Sequence, residues 1–151
     1  MIRPLQALAV LWLMALPPLV GAAEGLTRVA SPVSAAETME RFVALVEQRG
    51  LTVFARIDHA AGAAEAGETL RPTELLIFGS PRAGTPFMEC AQTVGIDLPM
   101  KVLVWEDAES DVWVGYTDPA SIAERHNVPD CAAVQPLSEA LRGLAEAATK
   151  P

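Results

Sequence analysis

The stretch Glu74–Pro86, ELLIFGSPRAGTP, constrains this chain more than any other. Leu75-Leu76-Ile77-Phe78 is continuously apolar and reads as a strand buried on both faces. Gly79-Ser80-Pro81 stops it. Gly84-Thr85-Pro86 then predicts a helix over Pro86–Val94, with Thr85 as N-cap and Pro86 at the first helical position. A strand that turns sharply into a helix leaves unpaired N–H groups facing forward from the turn. A binding site, if the chain has one, belongs at Gly79–Thr85.

The first residues do not belong to a folded domain. Arg3 supplies a short positive region, Leu5–Val20 is almost wholly apolar, and Gly21-Ala22-Ala23 offers small residues for cleavage. This is the pattern of a secretory signal peptide over residues 1–23. An uncleaved membrane anchor is the alternative. The apolar run is near the lower limit for a span, and Pro17-Pro18 breaks it near its end. No Cys stands beside the cleavage site, which disfavours a lipoprotein. Residues 24–151, roughly 130 of them, suit one domain with a real core, in the periplasm or secreted. The net charge of −8, without any cluster of Lys or Arg, argues against nucleic acid and anionic membranes as partners. Acidity of this size needs no explanation beyond solubility.

Short elements follow in order. Leu26–Ser31 reads as a strand. Ser34 and Glu37 form a capping-box pattern for a helix carrying Met39, Phe42, Val43 and Val46 on one stripe and closed by Gly50. Leu51–Ile57 alternates, placing Leu51, Val53, Ala55 and Ile57 on one face and Thr52, Phe54 and Arg56 on the other. Asp58 caps a short Ala-rich helix ending at Gly67. Lys101–Glu106 and Val112–Tyr116 read as a hairpin, Asp118-Pro119 opens another helix, and Leu137, Leu141, Leu144, Ala145 and Ala148 mark a last amphipathic one. The expected fold is a single compact α+β domain, with a mainly antiparallel sheet and helices packed on one face. If the other face is bare it needs a cover, because Phe54, Leu76, Phe78, Leu103 and Trp105 are too apolar to stay wet; a homodimer is the simplest cover.

Several separated motifs now stand in a definite order: Glu37-Thr38, Gly50-Leu51, Ile57-Asp58-His59, Phe78-Gly79-Ser80-Pro81, Asp97-Leu98-Pro99, Val102–Asp107, Tyr116-Thr117-Asp118-Pro119 and Arg125-His126. In these the chain, from about Leu26 onward, resembles the bacterial "domain of unknown function 302" family. Ser80 stands where that family often has Asn. The resemblance implies a compact α+β fold, an antiparallel sheet and dimers. It implies no activity and no catalytic residues.

Chemistry has few footholds. Asp58-His59 follows a strand and opens a helix, so His59 is either a metal ligand or general base, or merely a first-turn residue behind a capping Asp58. The Gly79–Thr85 turn could cradle an anion, with Gly79 for the turn, Arg82 as counter-charge and Thr85 as donor; its plainer reading is a strand-to-helix connection. It is neither a P-loop nor a dinucleotide fingerprint. Two His and two Cys show no zinc spacing, Glu106–Asp111 lacks an EF-hand register, and no G-x-S-x-G elbow exists. Asp97 reads as an acceptor of backbone N–H bonds in a tight connector, and Arg125-His126 as a charge pair at a helix C-terminus. Trp105 and Trp113 read as core or dimer-interface residues. No metal and no cofactor is implied. Cys90 and Cys131, in a chain bound for an oxidising compartment, are expected to pair, closing a loop of roughly 40 residues worth about 3–4 kcal/mol in the chain-entropy model; two buried free thiols are the alternative.

Three functions fit. The first is an exported, dimeric, non-catalytic domain that binds a small ligand or a protein. The second is a metal-binding or acid/base enzyme centred on Asp58, His59 and the Gly79–Thr85 turn. The third is a thiol redox role through Cys90, which pairing with Cys131 would remove.

Overall fold

A computed structural model of the chain describes residues 25–151. The expected signal peptide, residues 1–23, lies outside them. Five strands form one sheet in the order β1-β5-β4-β3-β2. They are β1 (Leu26–Ser31), β2 (Thr52–Asp58), β3 (Thr73–Gly79), β4 (Met100–Glu106) and β5 (Val112–Thr117). Every neighbouring pair is antiparallel. The helices are α1 (Ala35–Gln48), α2 (His59–Glu65), α3 (Pro81–Cys90), α4 (Pro119–Arg125) and α5 (Val134–Ala148), with a 3₁₀ turn at Gln92–Ile96. The α+β class and the antiparallel sheet are as the sequence predicts.

Local signals explain most boundaries. The Ser34 hydroxyl accepts the Glu37 N–H at 3.2 Å. The Glu37 carboxylate takes Arg41 one turn on, at 2.7 Å, rather than completing the capping box. Gly50 follows α1 with φ +68°, the left-handed conformation that only Gly adopts at low cost. Asp58 caps α2 through the Ala61 N–H at 2.9 Å, and Asp118 caps α4 through the Ala120 N–H at 2.8 Å.

Alternation builds the main core. Leu76 and Phe78 of β3, Val102 and Val104 of β4, and Val112, Val114 and Tyr116 of β5 are buried against Met39, Phe42 and Val46 of α1 and Leu141, Leu144 and Ala145 of α5. Phe42 meets Phe78 edge to face, with centroids 5.5 Å apart. Arg56 reaches both Glu74 on β3 and Glu40 on α1, whose hydrogen bonds raise its pKa and stitch the strand edge to the helix.

The face expectations need two corrections. First, Leu76 and Phe78 lie beneath the helices, while their neighbours Leu75 and Ile77 share the opposite face with Leu103 and Trp105. Second, a β-bulge between Val53 and Ala55 makes Phe54 an extra residue and switches the phase of β2. Val53 packs on the core, but Ala55 and Ile57 pair with Ile77 and Leu75 on the opposite face, and Phe54 is pushed out until it is 52% exposed.

A second core gathers where β3 leaves the sheet and β4 enters it. Phe87, Val94, Ile122, Ala123 and Val134 are buried there, with Met100, Leu98 and Leu137 packed against them. Cys90 and Cys131 are bonded across it, with Cα atoms 6.0 Å apart, so the expected bridge forms and no cysteine is free among the described residues. The helix predicted over Pro86–Val94 is displaced. Ser80, not Thr85, is the N-cap: its hydroxyl accepts the Ala83 N–H at 3.2 Å and Pro81 takes the first helical position. Pro86 sits inside α3, where it removes the one bond that its N–H would have given to Arg82. The helix then ends at Cys90, and Gln92–Ile96 forms the 3₁₀ turn instead.

Candidate functional site

The strand-to-helix passage at Gly79 carries a pocket. A cavity of about 300 Å³ opens between the bulge of β2, the end of β3, α3, the connector before β4 and the start of α5. Phe54 and Gly79 form one side, and Ala83, Gly84 and Met88 of α3 another. Leu98, Pro99 and Met100 close it from the connector. Each wall follows from a local cause. The bulge turns Phe54 away from the core. Gly79 has φ +157°, a backbone conformation that L side chains rarely adopt. A Cβ there would also stand 3.8 Å from Pro99 and 4.0 Å from Phe54, so glycine keeps the floor open. The connector folds back toward β4 at Leu98–Pro99, whose peptide is cis. Lys101 secures that fold, donating to the carbonyls of Asp97 at 2.9 Å and Pro99 at 3.0 Å.

Behind the connector lies a polar clamp. Asp97 accepts from Arg125 at 2.7 Å through Oδ1 and pairs with His126 Nε2 at 2.8 Å through Oδ2. His126 Nδ1 lies 2.9 Å from the Thr93 hydroxyl, so both ring nitrogens are engaged. Burial opposes ionisation of Asp97. The His126 hydrogen bond and the Arg125 charge outweigh it and hold the Asp97 pKa below its ordinary value. With both nitrogens occupied and the ring nearly enclosed, His126 acts as a tie between α4 and the connector, not as a free base.

The structure scatters the residues singled out from sequence. Asp58 and His59 stand at the far end of β2. Asp58 pairs with Glu74 and Thr52 with Gly79, so a strand length on the order of 20 Å separates His59 from the Gly79 turn. Asp58 is occupied as a cap, and His59 is exposed. The single centre of Asp58, His59 and the turn therefore does not assemble. Gly79 and Thr85 line the pocket; Arg82 is exposed and does not. Among the described residues, no group of three or more His, Cys, Asp or Glu side chains is placed to hold a metal ion. The acidic hairpin turn is engaged as well: Asp107 accepts the N–H groups of Glu109 and Asp111 and the Trp113 indole N–H. These bonds, the indole's foremost, lower the Asp107 pKa against the opposing effect of desolvation.

Phe54, Met88, Leu98-Pro99 and Met100 were not legible as site residues. The tie between Asp97 and His126 was not either, although both residues belong to the motifs quoted above. The model of the family "Domain of unknown function DUF302" matches residues 27–148. The chain belongs to the DUF302 family. A crystal structure of an uncharacterized conserved DUF302 protein from Bacillus stearothermophilus superposes with a TM-score of 0.75. It is 20% identical and covers 83% of this chain and 99% of its own, which establishes the shared fold. Proteins named "Fluoride-specific ion channel FluC 1", from Brucella suis and Brucella abortus, are each 50% identical over 104 residues, 69% of this chain. The match spans only 41% and 38% of those proteins, so this DUF302 chain corresponds to about two fifths of their length. Among the described residues, no helix is long and apolar enough to cross a membrane.

Proposed function

We propose that this DUF302 protein is an exported, non-catalytic domain that holds a small ligand in the pocket at Gly79. One observation carries the reading: a cavity of about 300 Å³, at the low end of ligand-pocket sizes, is walled by four separate chain segments, and no titratable side chain lines it. General acid–base chemistry, or activation of the Ser80 or Thr85 hydroxyl as a nucleophile, needs such a group within reach of the substrate. Asp97, Lys101, Arg125 and His126, around the connector behind the pocket, bond to one another or to backbone. The signal-peptide pattern at residues 1–23 supports export.

The fluorescent, uncharged dye N-phenylnaphthylamine tests the pocket. It is expected to brighten on binding. Phe54→Ala, which removes an exposed wall, and Gly84→Leu, which fills the cavity, should each weaken it severalfold. Gly62→Leu, in α2 with no atom within 4 Å of the new Cβ, should not. Equal affinity in all variants, or no binding at all, refutes the site.

The same reading includes a homodimer formed through the open sheet face. Leu75, Ile77, Leu103, Trp105 and Trp113 alternate with the buried core residues and lie on the face opposite α1 and α5. Five strands at ~4.8 Å spacing and six or seven residues at ~3.3 Å make a footprint of roughly 500 Å². Two such faces bury on the order of the ~1,000 Å² that a specific interface requires. The strand residues of this face include no acid, the Asp107 carboxylate at its rim is taken by the Trp113 indole, Arg28 stacks on Trp113 at 4.8 Å, and the Lys101 amine is turned onto carbonyls, so two copies meet without charge repulsion.

A second reading comes from the relatives. A similar segment inside longer proteins named fluoride channels supports work beside such a channel. Deletion in the host should then lower fluoride tolerance; unchanged tolerance refutes this reading. The pocket itself, without a charged lining group, suits no halide.

A further inference from the structure

The pocket also limits what its ligand can be, an inference that rests on the binding reading above. We infer that the ligand is an uncharged, ring-sized apolar molecule bearing one hydrogen-bond acceptor, and not an anion. Most of the anion site suggested by the Gly79–Thr85 sequence is already spent. Pro81 has no N–H, and the Ala83 and Gly84 N–H groups both bond to Ser80, at 3.1 and 3.0 Å to its carbonyl. Arg82 is outside the lining. Lys101 and Arg125, on the connector side, are committed to the connector and to Asp97 behind the Leu98-Pro99 wall. A charge placed in this cavity would lose water and gain no partner, at a cost of several kcal/mol.

Size and lining narrow the class further. A cavity of about 150 Å³ lined by Leu, Ile and Phe takes up benzene. This one, at about 300 Å³, has room for two fused rings. Its walls offer the Phe54 ring and the thioethers of Met88 and Met100, groups that favour aromatic faces and edges. Ser80 supplies the polar contact: its oxygen accepts from Ala83, which leaves its own proton to donate to the ligand.

Three naphthalene probes of one shape and different charge test this: naphthol, naphthoate and naphthylmethylammonium, each competing with N-phenylnaphthylamine near neutral pH. Naphthol should bind about tenfold or more tighter than either charged probe. The cation controls for the acidic protein as a whole, because a net charge of −8 attracts it. The preference should persist at high salt, where long-range fields are screened. Either charged probe binding as tightly as naphthol overturns the inference while leaving the pocket standing. So does dye that binds but yields to none of the three. Failure of the dye itself to bind overturns the pocket reading instead.

Discussion

Removing the Cys90–Cys131 bridge should cost this domain about as much as truncating a large core side chain. The bond closes a loop of 41 residues. In the chain-entropy model that loop lowers the entropy of the unfolded chain by about 13 cal/mol/K, or about 4 kcal/mol at 25 °C. A domain of roughly 130 residues melts with an entropy of about 270 cal/mol/K, so the loss corresponds to a fall in Tm of about 15 °C. Little native packing goes with it, since Cys90 is exposed and only Cys131 packs against the second core. The assay is denaturant unfolding of the oxidised protein, the reduced protein, Cys90→Ser, Cys131→Ala and the double variant. Either single change breaks the same bond, so the double variant should be no less stable than Cys131→Ala by more than a few tenths of a kcal/mol. Reduction, checked by counting two thiols, should match the double variant. An unchanged midpoint after complete reduction would refute the reasoning, because it would mean that the unfolded chain is not loosened by opening the loop.

Gly79→Val should destabilise by about 1–3 kcal/mol through its backbone conformation alone, since the space around its Cβ is ordinary; an unchanged melting temperature counts against this. Asp97→Asn should cost about 1–2 kcal/mol near neutral pH by weakening the ties to Arg125 and His126. The Asp97 pKa is lowered in the folded state, so its contribution is complete above the ordinary value of 3.8 and vanishes as pH falls through the lowered one. The variant should therefore lose stability less steeply in acid than wild type, and parallel pH curves would sink the idea. Wild-type protein should scatter light as a dimer at micromolar concentration and Leu103→Asp as a monomer with a similar fold; a wild-type monomer rejects the sheet-face interface.

Much of the architecture was legible because it rests on local chemistry. Ser34, Asp58 and Asp118 each cap the helix expected of them, and β1 spans the residues predicted. The errors have physical causes. Ser80-Pro81 and Thr85-Pro86 carry the same helix-start signal five residues apart, and nothing within the stretch says which one opens the helix. The bulge at Phe54 shifts β2 by one residue, and a one-residue shift exchanges its faces. No periodicity within β2 marks that point, because pairing with β3 creates it.

The candidate site divides along the same line. Gly79 was visible as a turn because only glycine suits such a backbone there, and the pairing of Cys90 with Cys131 was visible because a chain with two cysteines has one possible bridge. The pocket itself was not visible: Phe54, Met88 and Leu98-Pro99 are distant in sequence and ordinary in composition, and the antiparallel order of β2, β3 and β4 is what brings them together. That order also parts His59 from Gly79, which the sequence had joined, by the length of a strand. Caps with a single candidate, glycine turns and the choice of partner for Cys90 depend on residues within a few positions or on a count, and the sequence alone determines them. Which distant side chains share a cavity depends on sheet register and on how two cores pack, and only the tertiary structure decides that.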